Sequence, residues 1–390
     1  MAYDLLSHIP EIPIKEEWRW TTDVLVSNDG HEDRIPLNRY PKRVFSGNYI
    51  FERVQDVRYH MALMFGGFGK PFKVGLFQYQ VKLKAPVAAG ADTVTVNTAR
   101  GDFRVDGTAL IIEGDKRELV VIADIAPDAL TFTTPLVSAY GSRALVVPVT
   151  EVYSPPGASF QRGNLDKTAS SGFTFVETEP TGPFVAPENA SVLTTFDSLV
   201  LLDRRAIGTQ FDMALDTGIV VQDYLGRPDV FTPWDQSQWT FPLRWQCNRV
   251  FDNADWLWWM AFVDSIQGAA GQFLLPTFHS DVEIQIAAAP STSVMTLKGH
   301  EFRDHYYGLD TFSRIVIESS LGRHFAKVTG ITSVSGNDRI TFTPPLPAGA
   351  GWAVEQKFGF LMKVRIADDK VTCDHYGLHT DVSMAVRTVA

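Results

Sequence analysis

The chain has 390 residues, of which 45% are hydrophobic and 21% charged, a balance typical of folded proteins, and its length allows two to four folding units. Its formal net charge of −10 at pH 7 argues against direct nucleic-acid binding, which needs clustered Lys and Arg to neutralise phosphates. No apolar run approaches the roughly 18 residues that span a bilayer and no secretion signal begins the chain, so we expect cytoplasmic synthesis without membrane insertion.

A β-hairpin is predicted near the start of the chain. Polarity alternates from Trp18 to Val26, which is typical of a strand with one buried face. The sequence Asn-Asp-Gly at residues 28–30 is a strong turn signal, and residues 35–37 resume an extended run.

The next stretch predicts a strand, a helix, a glycine-rich turn and a second strand. Residues 44–51 are strand-like, residues 55–65 form an apolar segment with a polar start, and residues 66–69 read Gly-Gly-Phe-Gly. The turn leads to Phe72, and an extended run of alternating polarity follows at residues 78–83.

Residues 86–143 have a different character. They contain short strand-like runs, such as residues 109–112 and 119–122, separated by turn pairs and leaving no room for helices. This pattern predicts a small β-barrel inserted into the first unit. After the chain returns to that unit, three prolines within residues 180–190 predict a stiff, extended linker.

The second half of the chain repeats the order of the first. A strand-like run at residues 239–245 precedes a helix in which Trp256, Trp259, Met260 and Val263 recur at the i, i+3, i+4, i+7 spacing. The helix is apolar nearly all round, so we expect it to be buried on several sides or to lie at a subunit contact. Core packing is favoured over a stacking platform for ligands. The connection that precedes this strand, residues 223–233, is predicted to be longer and more irregular than the first hairpin.

Several residue pairs keep a nearly constant separation between the halves. They are Arg43 with Arg244, Met61-Ala62 with Met260-Ala261, and Phe72 with Phe273, at offsets of 201, 199 and 201. The motif Thr-Phe-Thr-x-Pro-Leu at residues 131–136 recurs at residues 341–346. These collinear matches predict an internal duplication.

We therefore predict a mainly β protein with one short helix per repeat. The first β-sandwich or barrel unit spans residues 1–179 with its insert at about 86–143. The linker spans residues 180–190. The second unit spans residues 191–390, with an inserted small β-barrel at about 287–357.

Two groups of potential metal ligands are present, and neither has convincing spacing. Cys373, His375 and His379 form C-x-H-x-x-x-H, but on a strand only the first two share a face. His300 and His305 belong to a polar cluster in the second insert that is predicted to be a solvated loop. We expect no metal and no cofactor.

Catalysis is not predicted either. The sequence has no helix-borne pair of carboxylates, no H-E-x-x-H, no G-x-S-x-G and no complete phosphate loop. The two cysteines, Cys247 and Cys373, are too few for a disulfide framework and are expected to be small apolar residues in strands. We expect a protein that is not an enzyme.

Short motifs in both units resemble those of a known family. They are the run from Asp23 to Leu37 with Asn28-Asp29-Gly30 at its centre, Pro41-Lys42-Arg43, Gly271-Gln272-Phe273, and the run from Val364 to Asp369. The chain resembles distal tail proteins and related minor tail proteins of long-tailed bacteriophages. It departs from them in having two tail-tube-like units where such proteins usually have one.

The resemblance implies a virion protein that forms a ring at the tail tip or baseplate. The ring would lie between the tail tube with its tape-measure protein and the tail-tip hub, receptor-binding or fibre proteins, and DNA would pass through it without specific binding. Tail tubes of this kind are hexameric, so two units per chain predict a homotrimer with a pseudo-sixfold ring; a homohexamer is the alternative. Structural or assembly roles are expected for Arg43, Arg244, Trp256, Trp259, Met260, Phe72 and Phe273.

Two other classes of function remain open from the sequence. The inserts could form a glycan-binding module for the host surface, in which exposed aromatics such as Tyr306, Tyr307 and Phe312 contact sugar. A tail-associated hydrolase is the third class, but it would require a pair of carboxylates or a metal centre that the sequence does not show.

Overall fold

The structure is a computed structural model that describes residues 5–27, 30–66, 70–156, 159–162, 169–179, 182, 192–207, 214–224, 227–232, 234, 237–248, 254–353 and 355–389. We call residues 5–179 the first half and residues 192–389 the second half. The predicted linker at residues 180–190, apart from Gly182, lies outside the described residues.

Strands dominate both halves, so the prediction of a mainly β protein is confirmed. The first half contains β1 (Leu5–Leu6), β2 (Ile14–Arg19), β3 (Thr22–Val26), β4 (Glu32–Pro36), β5 (Lys42–Phe51), α1 (Val54–Gly66), β6 (Phe72–Gly75), β7 (Val81–Lys82), β8 (Thr93–Thr95), β9 (Thr108–Glu113), β10 (Lys116–Ala126), β11 (Ala129–Phe132), β12 (Leu145–Tyr153), β13 (Ser159–Arg162) and β14 (Ala169–Glu177). The second half contains β15 (Thr195–Phe196), β16 (Leu199–Leu201), β17 (Ala214–Asp216), β18 (Val220–Tyr224), β19 (Arg227–Phe231), β20 (Gln238–Asn248), α2 (Ala254–Ile266), β21 (Gln272–Pro276), β22 (Ile284–Ile286), β23 (Val294–Leu297), β24 (Arg314–Ser319), β25 (Gly322–Val334), β26 (Asn337–Thr343), β27 (Lys357–Ile366), β28 (Lys370–His375) and β29 (His379–Thr388).

Each half has a principal sheet in which neighbouring strands pair in the same order. In the first half the order is β1-β6-β12-β14-β5-β2, with β1 parallel to β6 and every other pair antiparallel. In the second half it is β16-β21-β27-β29-β20-β17, with β16 parallel to β21 and every other pair antiparallel. A short strand precedes the last strand in each half and pairs with it, β13 with β14 and β28 with β29.

In each half a β-hairpin lies between β2 or β17 and the long strand with which that strand pairs, β5 or β20. β3 and β4 pair along their whole length, which confirms the hairpin predicted from the sequence. β18 and β19 also pair antiparallel, so the prediction of an irregular connection at residues 223–233 is wrong for residues 223–224 and 227–231, while residues 225, 226 and 233 lie outside the described residues. The β-branched Val220, Val221 and Val230 favour extended backbone, which outweighs the polar residues between them.

The helices α1 and α2 contribute to a core that joins both halves. Trp256, Trp259 and Met260 are 2%, 1% and 3% exposed, and the Trp245 and Trp259 ring centroids lie 5.2 Å apart. The same core includes residues of the first half such as Trp18. The core-packing interpretation of these tryptophans is therefore confirmed, and their side chains are already covered within one chain.

A separate core lies in each predicted insert. One is built by β8–β11 and extends to Val81 and Val146, just outside the predicted span of 86–143. The other is built by β23–β26 and extends to Val282 and Phe360. Each insert joins its principal sheet in the same way, because β9 pairs with β12 and β24 pairs with β27.

Strand register assigns Phe72 and Phe273 to matching positions. Both residues lie in the strand after the helix and both are buried, at 2% and 0% exposed. Phe72 faces Val152 in β12, and Phe273 faces Val364 in β27.

The arginines aligned from the sequence do not match in the structure. Arg43 is 2% exposed, whereas the side chain of Arg244 is 59% exposed because its neighbours Leu243 and Trp245 take the inward-facing positions of β20. With Phe72 and Phe273 taken as matching residues, the ladders β6-β12-β14-β5 and β21-β27-β29-β20 align Arg43 with Trp239. The predicted pairing of Arg43 with Arg244 is therefore corrected, since the constant offset is not kept within these strands.

Candidate functional site at the seam between the halves

The two halves are joined by a strand pair that we call the seam, formed by β2 of the first half and β28 of the second. The strands run antiparallel from Ile14 opposite His375 to Arg19 opposite Lys370. Because β2 also pairs with β5 and β28 with β29, the seam makes the two principal sheets continuous. An edge strand that finds a partner in this way no longer exposes unpaired N–H and C=O groups.

A buried cluster of charges lies beside the seam, with Arg43 at its centre. The Arg43 Nε and Nη2 atoms donate to the two carboxylate oxygens of Glu177 at 3.0 and 2.7 Å, and Nη1 donates to Asp102 Oδ2 at 2.6 Å. Arg104 also donates to Asp102, from Nε to Oδ1 at 3.2 Å. The first insert, which supplies Asp102 and Arg104, is thus tied to the sheet by charge-assisted hydrogen bonds.

Glu16 connects this cluster to the second half. Its Oε2 atom lies 3.2 Å from Nε2 of His375 and accepts a hydrogen bond from the Tyr79 hydroxyl at 2.9 Å, while Trp18 Nε1 donates to Oε1 at 2.8 Å. Burial alone would raise the pKa of Glu16, but the hydrogen bond with His375 and the charge of Arg43 outweigh it and lower the pKa to about 2. Glu16 is therefore a buried carboxylate that stays ionised.

The first-half hairpin adds a second point of attachment across the halves. Arg365 of β27 donates from Nε and Nη2 to the two oxygens of Glu32 at 2.7 and 2.8 Å, and both residues are buried. Burial would raise the pKa of Glu32, but its hydrogen bonds and attraction to Arg365 lower it. At the hairpin turn, Gly30 has φ of +85° and a Cβ there would lie 3.0 Å from Trp234. Glycine at this turn therefore permits both the left-handed backbone and the close approach of the second half.

Sequence reasoning missed most of the seam. Among the predicted assembly residues, Arg43 lies at the centre of its polar cluster, whereas Arg244 is exposed and bonds to Asp381 instead. A signal was present, since Glu16 and Glu32 stand at inward positions of alternating strands, where an unpaired carboxylate is costly. Partners such as Arg365 are more than 300 residues away in the chain, and nothing in local spacing identifies them.

The predicted glycan-contacting aromatics do come together in the second insert. Tyr306, Tyr307 and Phe312 line one cavity of about 310 Å³, together with Leu309 and Lys327. Tyr307 is exposed, at 45%, whereas Tyr306 is partly buried and Phe312 is 9% exposed. The expectation that Phe312 is exposed is therefore wrong, because its ring packs between Tyr306 and Phe360 at centroid distances of 5.0 and 4.8 Å.

The potential metal ligands are engaged in other contacts. His375 Nδ1 lies 2.9 Å from the Thr380 hydroxyl, and Cys373 is buried in β28, just as Cys247 is in β20. His300 lies 3.0 Å from Asp338, which also binds Arg303. Within the residues that the structure describes, no three His, Cys, Asp or Glu side chains are arranged to hold a metal ion.

No helix of the described ranges is long and apolar enough to cross a membrane. Comparison of the sequence with protein-family models gives no match, and comparison with curated proteins gives no significant match.

Proposed function

We propose that this protein is a structural component of the tail tip or baseplate of a long-tailed bacteriophage, where it forms a ring that joins the tail tube to the receptor-binding parts. Each chain supplies two tail-tube-like units, and three chains close a pseudo-sixfold ring. DNA passes through the ring without being specifically bound. The partners of the ring are the tail tube and tape-measure proteins on one side and hub, receptor-binding or fibre proteins on the other.

The proposal rests first on an internal duplication. Four features recur in chain order: the strand order of the principal sheet, the hairpin after β2 or β17, the helix before β6 or β21, and the insert joined to β12 or β27. Several independent features recurring in one order favour the duplication of a single unit over two unrelated folds.

The seam is the main observation that supports a ring. It supports the view that one unit is built to extend the sheet of another, because β2 is an edge strand of the first half that is covered by the second half. A contact that joins different surfaces of like units is heterologous, and such contacts close into rings when the rotation between units permits. A ring of joined sheets leaves no edge open.

The net charge of −10 is consistent with a conduit for DNA. Acidic or neutral walls do not attract the phosphate backbone, whereas clustered Lys and Arg would bind the DNA and slow its passage.

Negative-stain imaging of the purified protein at micromolar concentration tests the proposal. We expect closed rings with a central opening and six similar lobes, with the inserts projecting outward. A field of single particles without rings, at concentrations where virion proteins assemble, would overturn the ring.

A second candidate function is glycan binding by the second insert, and the cavity at Tyr306 and Tyr307 favours it. Its volume of about 310 Å³ lies at the lower end of ligand pockets, and an exposed aromatic ring beside Lys327 and Asp310 is suited to stacking against a sugar. Binding of the full-length protein to host surface polysaccharide, lost in Tyr307→Ala, would support this function. Equal binding by the Tyr307→Ala protein would exclude it for this cavity.

A further inference from the structure

The seam pairs β2 of the first half with β28 of the second half, and each of these strands has a counterpart in the other half that the seam does not use. β17 corresponds to β2, because each pairs with the long strand before the helix, β20 or β5. β13 corresponds to β28, because each pairs with the last strand of its half, β14 or β29. In the described part of the chain, β17 pairs only with β20 and β13 only with β14.

The two edges that correspond differ sharply in burial. Trp18 of β2 faces Arg43 and is 0% exposed, with its ring centroid 5.9 Å from that of Trp256 in the second-half helix. Leu215 of β17 faces Trp239, the residue that corresponds to Arg43, and is 59% exposed. An apolar side chain is thus left in solvent at the position where its counterpart packs against the other unit.

We propose that β17 of one copy of this chain pairs antiparallel with β13 of the next copy, reproducing between chains the seam that β2 and β28 form within one chain. Leu215 then packs toward α1 of the neighbouring copy, as Trp18 packs toward α2. The partner at this surface is a second copy of the same chain. This inference rests on the proposed ring and names the surfaces that close it.

The burial pattern supports a second copy as the partner. All three residues of β17 are exposed, whereas β2 has four buried residues out of six. β17 is short, and short edge strands discourage unspecific pairing, so a specific partner must bring further contacts. The first half of another copy can supply these further contacts, because within one chain the second half already packs against β2 in this way.

The substitution Leu215→Glu tests the contact without disturbing the fold, since the side chain is exposed in the single chain. It places a charge in the centre of the new interface, where desolvation weakens association; we expect about 30-fold weaker association or more, measured by sedimentation velocity across a concentration series. Ile286→Glu is the matched control, because Ile286 is 62% exposed and lies in β22, which pairs with β23 of the second insert. We expect the control to assemble as the unsubstituted protein does.

Hydrogen exchange provides a second readout. The amides of Ser159–Arg162 and Ala214–Asp216 should both exchange more slowly in the assembled protein than in dissociated Leu215→Glu chains. Protection of only one of these segments would overturn the proposed pairing.

The outcomes separate this inference from the proposed function. If the unsubstituted protein forms trimers and Leu215→Glu forms them with equal affinity, the edge pairing is wrong while the ring stands. If the unsubstituted protein remains a single chain at all concentrations, both the ring and the pairing are wrong. Loss of assembly in Leu215→Glu alone, with paired protection of both segments, supports both.

Discussion

Replacement of Arg43 by methionine should destabilise the protein through the charges that it leaves behind. Arg43 neutralises Glu177 through two hydrogen bonds and Asp102 through a third, and Glu16 lies 3.7 Å from its Nη1. All four side chains are 4% exposed or less. Removing one partner from a buried ion pair costs about 3–5 kcal/mol, a large part of the roughly 5–15 kcal/mol that stabilises a typical protein.

The stability lost in Arg43→Met should depend on pH if it arises from the buried charges, whereas a loss of packing contacts would be the same at every pH. Burial would raise the pKa of Asp102, but the charges of Arg104 and Arg43 lower it, so this carboxylate contributes stability above its ordinary pKa that is lost as the pH falls. Without Arg43, Asp102 is protonated more readily in the folded protein. The free energy of unfolding of Arg43→Met should therefore fall less on acidification than that of the unsubstituted protein. The difference in free energy of unfolding between the unsubstituted protein and Arg43→Met should therefore become smaller as the pH falls from 7 to 4.

Urea denaturation followed by tryptophan fluorescence at several pH values measures this difference. Arg43→Lys keeps one positive charge and should lose less than Arg43→Met. Arg53→Met is the control, because Arg53 and its partner Asp115 are both exposed, at 69% and 84%, so its loss should leave the free energy of unfolding nearly unchanged. A loss for Arg43→Met below about 1 kcal/mol, or one that stays constant with pH, would refute the role of the buried charges.

Three further predictions concern the seam and the shared core. The free energy of unfolding should fall as the pH drops from about 4.5 toward 2, because the lowered pKa of Glu16 gives stability that is lost when Glu16 is protonated. In urea titrations at several pH values, Glu16→Gln should show a smaller fall over this range. Gly30→Ala should destabilise more than Gly90→Ala in thermal melts, since both glycines have similar positive φ but only Gly30 contacts Trp234; equal losses would contradict close packing of the turn. Trp259→Ala should cost about 3–5 kcal/mol by denaturant titration, and a cost below about 1 kcal/mol would show that α2 is not in the core.

Local patterns in the sequence predicted the elements that local chemistry determines. The first hairpin follows from alternating polarity and an Asn-Asp-Gly turn, and α2 follows from the spacing of Trp256, Trp259 and Met260. The cores of the inserts follow from dense short strands without helical spacing. For the hairpin and α2, neighbours within a few residues fix the outcome.

Long-range partners could not be read from the sequence in the same way. The contacts of Glu16 with His375 and of Glu32 with Arg365 join residues at opposite ends of the chain. A constant sequence offset also misaligned Arg43, because β5 and β20 differ in length and start at different points relative to their helices. The registers of the ladders, rather than spacing in the sequence, determine which residues correspond.

The number of chains in the assembled particle tests the ring most directly, and native mass spectrometry measures it. One chain has a mass of 43.4 kDa, so the account predicts a species of about 130 kDa, three times the chain mass. A dominant species of about 260 kDa, six times the chain mass, or a single chain at every concentration, would contradict the pseudo-sixfold ring of three chains.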